Sequence, residues 1–137
     1  MFKEAYDLLL EILHDKALDE FIFNETGKHL AIIDSGAQVT IPAAKISFSG
    51  SDISNPDNAM QYTHYNVEFM LPFWGDDAFS KCHDFLDIAV RTFFSYQSSD
   101  VTVRNNRVMR LTPTINEENE ESELWTVAFD VTVSIFY

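Results

Sequence analysis

Tyr65-Asn-Val-Glu-Phe-Met-Leu-Pro-Phe-Trp74 runs through Gly75-Asp-Asp77 into Ala78-Phe-Ser-Lys-Cys-His-Asp-Phe-Leu-Asp-Ile-Ala-Val-Arg-Thr-Phe-Phe-Ser-Tyr96. The first part alternates, with Tyr65, Val67, Phe69, Leu71 and Phe73 on one side, which is the pattern of a half-buried strand. Pro72 weakens pairing near its end, so the strand finishes by Phe73 or Trp74. Gly75 permits a tight turn, Asp76 is the expected N-cap, and Asp77 places negative charge at the helix N-terminus. From Ala78 to Tyr96 the period changes to that of a helix. Phe79, Cys82, Phe85, Leu86, Ala89, Val90 and Phe93 form one broad apolar stripe, and Asp77, Ser80, Asp84, Asp87, Arg91 and Ser95 a polar face. A strand face and a helix stripe this apolar must cover each other or a partner.

Outward from this unit, the C-terminal part reads as strands. Gln97–Asp100 ends the helix, Val101–Val103 begins a strand, and Arg104–Arg107 is a turn. Val108–Ile115 is a strand, and Asn116–Glu123 reads as an acidic loop of mutually repelling glutamates. The last strand is the clearest in the chain. Trp125, Val127, Phe129, Val131, Val133, Ile135 and Tyr137 share one face, and Thr126, Ala128, Asp130, Thr132 and Ser134 the other. That alternation leaves Phe136 on the outer face.

Toward the N-terminus, Phe2–Lys16 reads as a helix with Ala5, Leu8, Leu9, Ile12 and Leu13 at helical spacing, widened by Tyr6 and Leu10. Phe21–Asn24 reads as a short strand, turning at Glu25–Lys28 into a second strand, His29–Asp34, so that the two form a hairpin. Gln38–Ile41 and Lys45–Phe48 are strand-like around Pro42, a residue that favours an edge or a bulge. Ser49–Met60 is dense in turn formers and reads as a long exposed loop.

The 137 residues fit one domain, 1–137, with a core rich in the chain's twelve Phe. The fold class expected is α+β: an antiparallel, possibly mixed sheet flanked by the N-terminal helix and one long central helix. The formal net charge of −13 disfavours direct contact with nucleic acid or an anionic membrane surface. It permits a basic partner. With one cysteine, Cys82, no disulfide forms within the chain, and its place on the apolar stripe reads as a buried small hydrophobe. The N-terminus has no signal-peptide pattern, and no apolar run is long enough to span a bilayer.

Chemistry is not legible. No phosphate loop, nucleophile elbow or dinucleotide fingerprint occurs. His14, His29, His64 and His83 lack metal-ligand spacing, and His64 with Glu68 on one strand face is a weak acid–base signal. The expectation is no enzyme, no catalytic residue, no metal and no cofactor.

The order of elements, carried by Tyr65-Asn-Val-Glu-Phe-Met-Leu71, Phe85-Leu-Asp-Ile-Ala-Val-Arg-Thr-Phe-Phe94 and Trp125-Thr-Val-Ala-Phe-Asp-Val-Thr-Val133, resembles the tail terminator and tail completion proteins of long-tailed bacteriophages and prophages. The resemblance is one of layout over nearly the whole chain and carries no functional residue with it. It implies a structural virion protein whose copies form a ring, usually a hexamer, that caps the tail tube and meets the head connector. Its implied partners are itself, tube proteins and connector proteins. Its implied location is the host bacterial cytoplasm and then the tail or neck of the virion. Ring subunits need two different contact surfaces. Residues that exceed the needs of one small core are the candidates: Tyr62, Trp74, Phe136 and Tyr137, with Glu117, Glu118, Glu120 and Glu121 of the acidic loop. The competing reading is an acidic inhibitor or immunity-type protein that masks a basic site with that loop.

Overall fold

The computed structural model describes residues 2–33, 40–52, 60–98, 106–119 and 124–136. Three helices, α1 (Phe2–Leu13), α2 (Lys16–Thr26) and α3 (Ala78–Ser95), accompany five strands. The strands are β1 (Ala31–Ile33), β2 (Ala43–Asp52), β3 (Met60–Leu71), β4 (Arg107–Asn119) and β5 (Leu124–Phe136). They form one sheet in the order β1-β2-β3-β5-β4. Only the β1–β2 pair is parallel, so the sheet is mixed and the fold is α+β as its sequence implies.

The alternation read in β3 and β5 places Tyr65, Val67, Phe69 and Leu71 beside Val131, Phe129, Val127 and Trp125 in register. The helices cover this face. Leu8, Leu9, Ile12 and Leu13 of α1, Leu18 and Ile22 of α2, and Cys82, Phe85, Ala89 and Phe93 of α3 are all buried in the same cluster. Phe69 meets Phe85 at 4.9 Å and Phe129 at 6.0 Å, both edge-on, and Phe93 lies 5.5 Å from Phe129. Edge-on aromatic packing of this kind adds about 0.5–1.5 kcal/mol per pair beyond area burial. The opposite face of β3, with Tyr62, His64, Asn66 and Glu68, carries no helix among the described residues and is partly exposed, as one face of an antiparallel sheet commonly is.

Several sequence expectations are corrected. Phe21–Asn24 is not a strand and makes no hairpin with His29–Asp34: it lies within α2. Leu18 and Ile22, one turn apart, are both fully buried. Asp15 caps the helix by accepting the Ala17 N–H at 2.8 Å. Gly27, at φ 77°, closes it by donating its N–H to the Phe23 carbonyl at 2.8 Å. Cap signals at both ends therefore outweigh the short β-like run between them. β1 pairs instead with the start of β2, and Ala31 N–H donates to the Pro42 carbonyl at 3.0 Å. Pro42 itself stands just before β2, where no ladder donor is required.

The loops are shorter than expected. Ser49–Asp52 belongs to β2 and Met60 to β3; 53–59 lie outside the described residues. Asn116–Asn119, including Glu117 and Glu118, continues β4 rather than forming a loop, because pairing with β5 extends through Asn119↔Leu124. A bulge between Glu117 and Asn119 leaves Glu118 out of the backbone register. Arg107 opens β4 and is not part of a turn, while the expected strand Val101–Val103 lies outside the described residues. At α3 the N-cap position is Asp77, not Asp76, and Asp77 makes no side-chain capping bond. It lies 3.7 Å from Lys81, whose ammonium also meets Glu25 at 3.2 Å and ties α3 to α2. Phe79 does not join the core: it is 55% exposed, against Trp125 at 5.7 Å. The buried stripe of α3 is Ala78, Cys82, Phe85, Ala89 and Phe93, and Phe79 lies on its flank, on the side of the half-buried Leu86 and Val90.

Candidate interaction surface

The register distributes the candidate contact residues between the two ends of the sheet. Tyr62, 39% exposed, lies opposite Asp52 on one side and Ser134 on the other. Phe136 is level with Met60, so it shares that end. Trp74, 63% exposed, follows β3 at the other end, near the row Leu71–Trp125–Glu117. Glu117 is exposed in that row. β3 has 12 residues, which at about 3.3 Å per residue separates the ends by more than 30 Å. The candidates are thus two groups and not one site. Tyr137, Glu120 and Glu121 lie outside the described residues.

Sequence reasoning missed four exposed aromatic residues, Phe23, Phe48, Phe79 and Phe94, of which Phe79 and Phe48 adjoin the sheet. Phe79 stands between His83, at 4.6 Å, and Trp125, beside the β3–α3 turn that holds Trp74. Phe48, 60% exposed, is at the open side of β2 against Phe2 at 6.3 Å and Tyr65 at 5.6 Å. It precedes a bulge that ends at Gly50. The Ser-Gly composition there read as loop and concealed that the strand continues to Asp52.

His64 does not work with Glu68. Its Nδ1 lies 3.0 Å from Thr132 Oγ1 and its Nε2 3.3 Å from Asp52 Oδ2. The neighbouring Asn66 donates to Asp130 at 3.1 Å. The Asp–His–Thr alignment has the order of a proton relay, but the His64 side chain is 40% exposed and the Asp52 side chain 79%. With both groups open to water, the row reads as cross-strand polar pairing on the open face. Cys82 is fully buried, and burial pushes its thiol up to about 11. A thiol so held is a core residue and not a nucleophile.

A cavity of about 100 Å³ lies between α1, the end of α3 and the start of β4, lined by Leu8, Ile12, Phe93, Tyr96, Arg107 and Val108 among others. Small-molecule pockets usually measure roughly 300–1,000 Å³, so this space is a packing gap rather than a ligand site. Among the described residues no three His, Cys, Asp or Glu gather as a metal set, and no helix is long and apolar enough to cross a membrane.

No protein-family model matches the chain, and no curated protein matches it. Among solved structures, the chain is similar to a chain of the virion of a native gene transfer agent particle, with a TM-score of 0.53 at 10% sequence identity. The likeness covers 95% of this chain and 92% of that one. At this identity it shows a shared fold.

Proposed function

We propose that this protein is a structural component of a phage or prophage particle: a tail terminator or neck protein whose copies form a ring that caps the tail tube and joins it to the head connector. The observation that carries the reading is the nearly end-to-end likeness in fold to a chain of a gene transfer agent virion. The layout of the sequence points the same way. A role in assembly also suits the surface, which presents exposed aromatic side chains at both ends of the sheet. Large exposed aromatic side chains are common anchors of protein interfaces.

The test is genetic and structural. Removing the coding sequence from an inducible particle-producing host should leave heads and tails that fail to join, and a tagged copy supplied in trans should restore joined particles and sit at the head–tail junction in electron micrographs. Joined, normal particles in the deletion strain would overturn the reading. Recovery of the protein in a stoichiometric complex with a basic enzyme, and its absence from particles, would instead establish the inhibitor reading.

A further inference from the structure

The two margins of the sheet carry unlike charge at one end, Asp52 on β2 and Arg107 and Arg110 on β4. Among the described residues β1 covers β2 only along Ala43, Ala44 and Lys45, so the edge over 46–52 has no strand partner there. β4 is the opposite margin, and among the described residues its 13 residues have no strand partner on one side. β2 and β4 run in opposite directions across the sheet. One row of the register is Asp52–Tyr62–Ser134–Arg107, with the acid at one margin and the base at the other. Another is Phe48–Tyr65–Val131–Leu111, with the exposed Phe48 at one margin and a half-buried leucine at the other. Toward the far end Lys45 is exposed near the β2 margin and Glu117 on β4.

These charges are available. Among the described residues Lys45, Arg107, Arg110 and Glu117 have no ion-pair partner, and Asp52 meets only His64. We propose that a second copy of this chain docks head to tail, the β4 margin of one copy against the β2 margin of the next, with Arg107 and Arg110 facing Asp52 and with Phe48 covered by the β4 strand. With strands level, Arg107 meets Asp52. A slide of two residues brings Arg110 level with Asp52, and at both settings the incoming strand meets β2 beyond Lys45, where its pairing with β1 ends. Both settings pair unlike charges, whereas turning the incoming copy end for end sets Asp52 toward the glutamates of β4. Pro113 and the two bulges of β4 limit a continuous backbone ladder, so side-chain charge and Phe48 carry the specificity. The two margins differ, which is the condition for a contact that repeats around a closed ring. The inference rests on the ring reading and names its subunit contact.

Sedimentation velocity on the full chain and its charge variants tests it. Arg110→Glu combined with Arg107→Glu should convert the oligomer to monomer, and so should Asp52→Arg. An equimolar mixture of the two variant proteins should regain the oligomer, because each restores the contact the other lacks. The circular dichroism spectrum should be unchanged throughout. An oligomer of unchanged mass in all variants overturns this contact and leaves the ring reading standing. Rescue of the arginine variant by Glu117→Arg, and not by Asp52→Arg, would replace it with symmetric β4–β4 pairing. A wild-type chain that is monomeric at high concentration overturns both the contact and the ring.

Discussion

At the scale of single residues, two side chains have consequences that chemistry alone can read. Burial raises the Cys82 thiol to about 11, so at pH 8 thiol exceeds thiolate by about a thousandfold. Cys82 should resist a thiol reagent in the native protein and react at the rate at which the fold opens. Rapid labelling under native conditions would show that α3 is not packed as described. Asp19 is the second case. It accepts the Leu30 N–H at 2.9 Å and lies 2.7 Å from His29 Nδ1, while His29 stacks on Phe23 at 4.4 Å. The Leu30 N–H first, and His29 after it, hold the Asp19 carboxyl below its ordinary value. A depressed carboxylate stabilises the fold above its unfolded pKa of about 3.9 and loses that contribution as pH falls through the folded value. Asp19→Ala should therefore cost about 1–2 kcal/mol at pH 7, with a gap that closes in acid. Urea titrations at pH 7 and pH 3 measure it, and an equal gap at both would mean the carboxylate is not the cause.

At the scale of elements, α3 offers a sharp contrast within one stripe. Phe85 is fully buried against Phe69 and Phe21, whereas Phe79 is 55% exposed on the flank. Phe85→Ala should destabilise by about 3–5 kcal/mol, and Phe79→Ala by less than about 1 kcal/mol. Chemical denaturation of the two variants checks both, and similar losses would refute the described rotation of the helix. Helical spacing told which side chains share a broad face, and it could not tell how narrow the covered stripe within that face is: Ala78 is buried and Phe79, one position around the helix, is not. The strand–helix unit, α1 and β5 were legible because their patterns run for ten residues or more. α2 was hidden because Phe21, Ile22 and Phe23 are adjacent apolar residues with β-like character, although Asp15 and Gly27 marked both of its ends. The ends of β2 and β4 were hidden because Ser, Gly, Asn and Glu are held there by cross-strand pairing and not by their own preference. The open edges followed from neither periodicity nor composition, since strand order is a long-range property. Arg107, Arg110 and Asp52 acquire meaning only once the sheet aligns them in rows.

At the scale of the whole molecule, assembly must contend with a net charge of −13 on every copy. The helices α1, α2 and α3 carry eight carboxylates against four basic side chains, and most of the excess lies in the strands and connections. Copies therefore repel one another at a distance and attract only where unlike margins meet. The two effects have different ranges and so respond differently to salt. The Debye length is roughly 30 Å at 0.01 M, 10 Å at 0.1 M and 3 Å at 1 M. Salt between about 0.01 and 0.1 M removes repulsion between whole subunits while leaving contacts at a few ångströms nearly intact. Near 1 M the close pairs are screened as well. Self-association should accordingly strengthen and then weaken as salt rises. In Arg107→Gln/Arg110→Gln/Asp52→Asn the close pairs are gone, and the residual association, carried by apolar contact, should only strengthen with salt. Sedimentation equilibrium across this range reads both curves. A wild-type curve that rises without a maximum would show that the contact is apolar, centred on Phe48, and that the aligned charges steer the copies together without holding them.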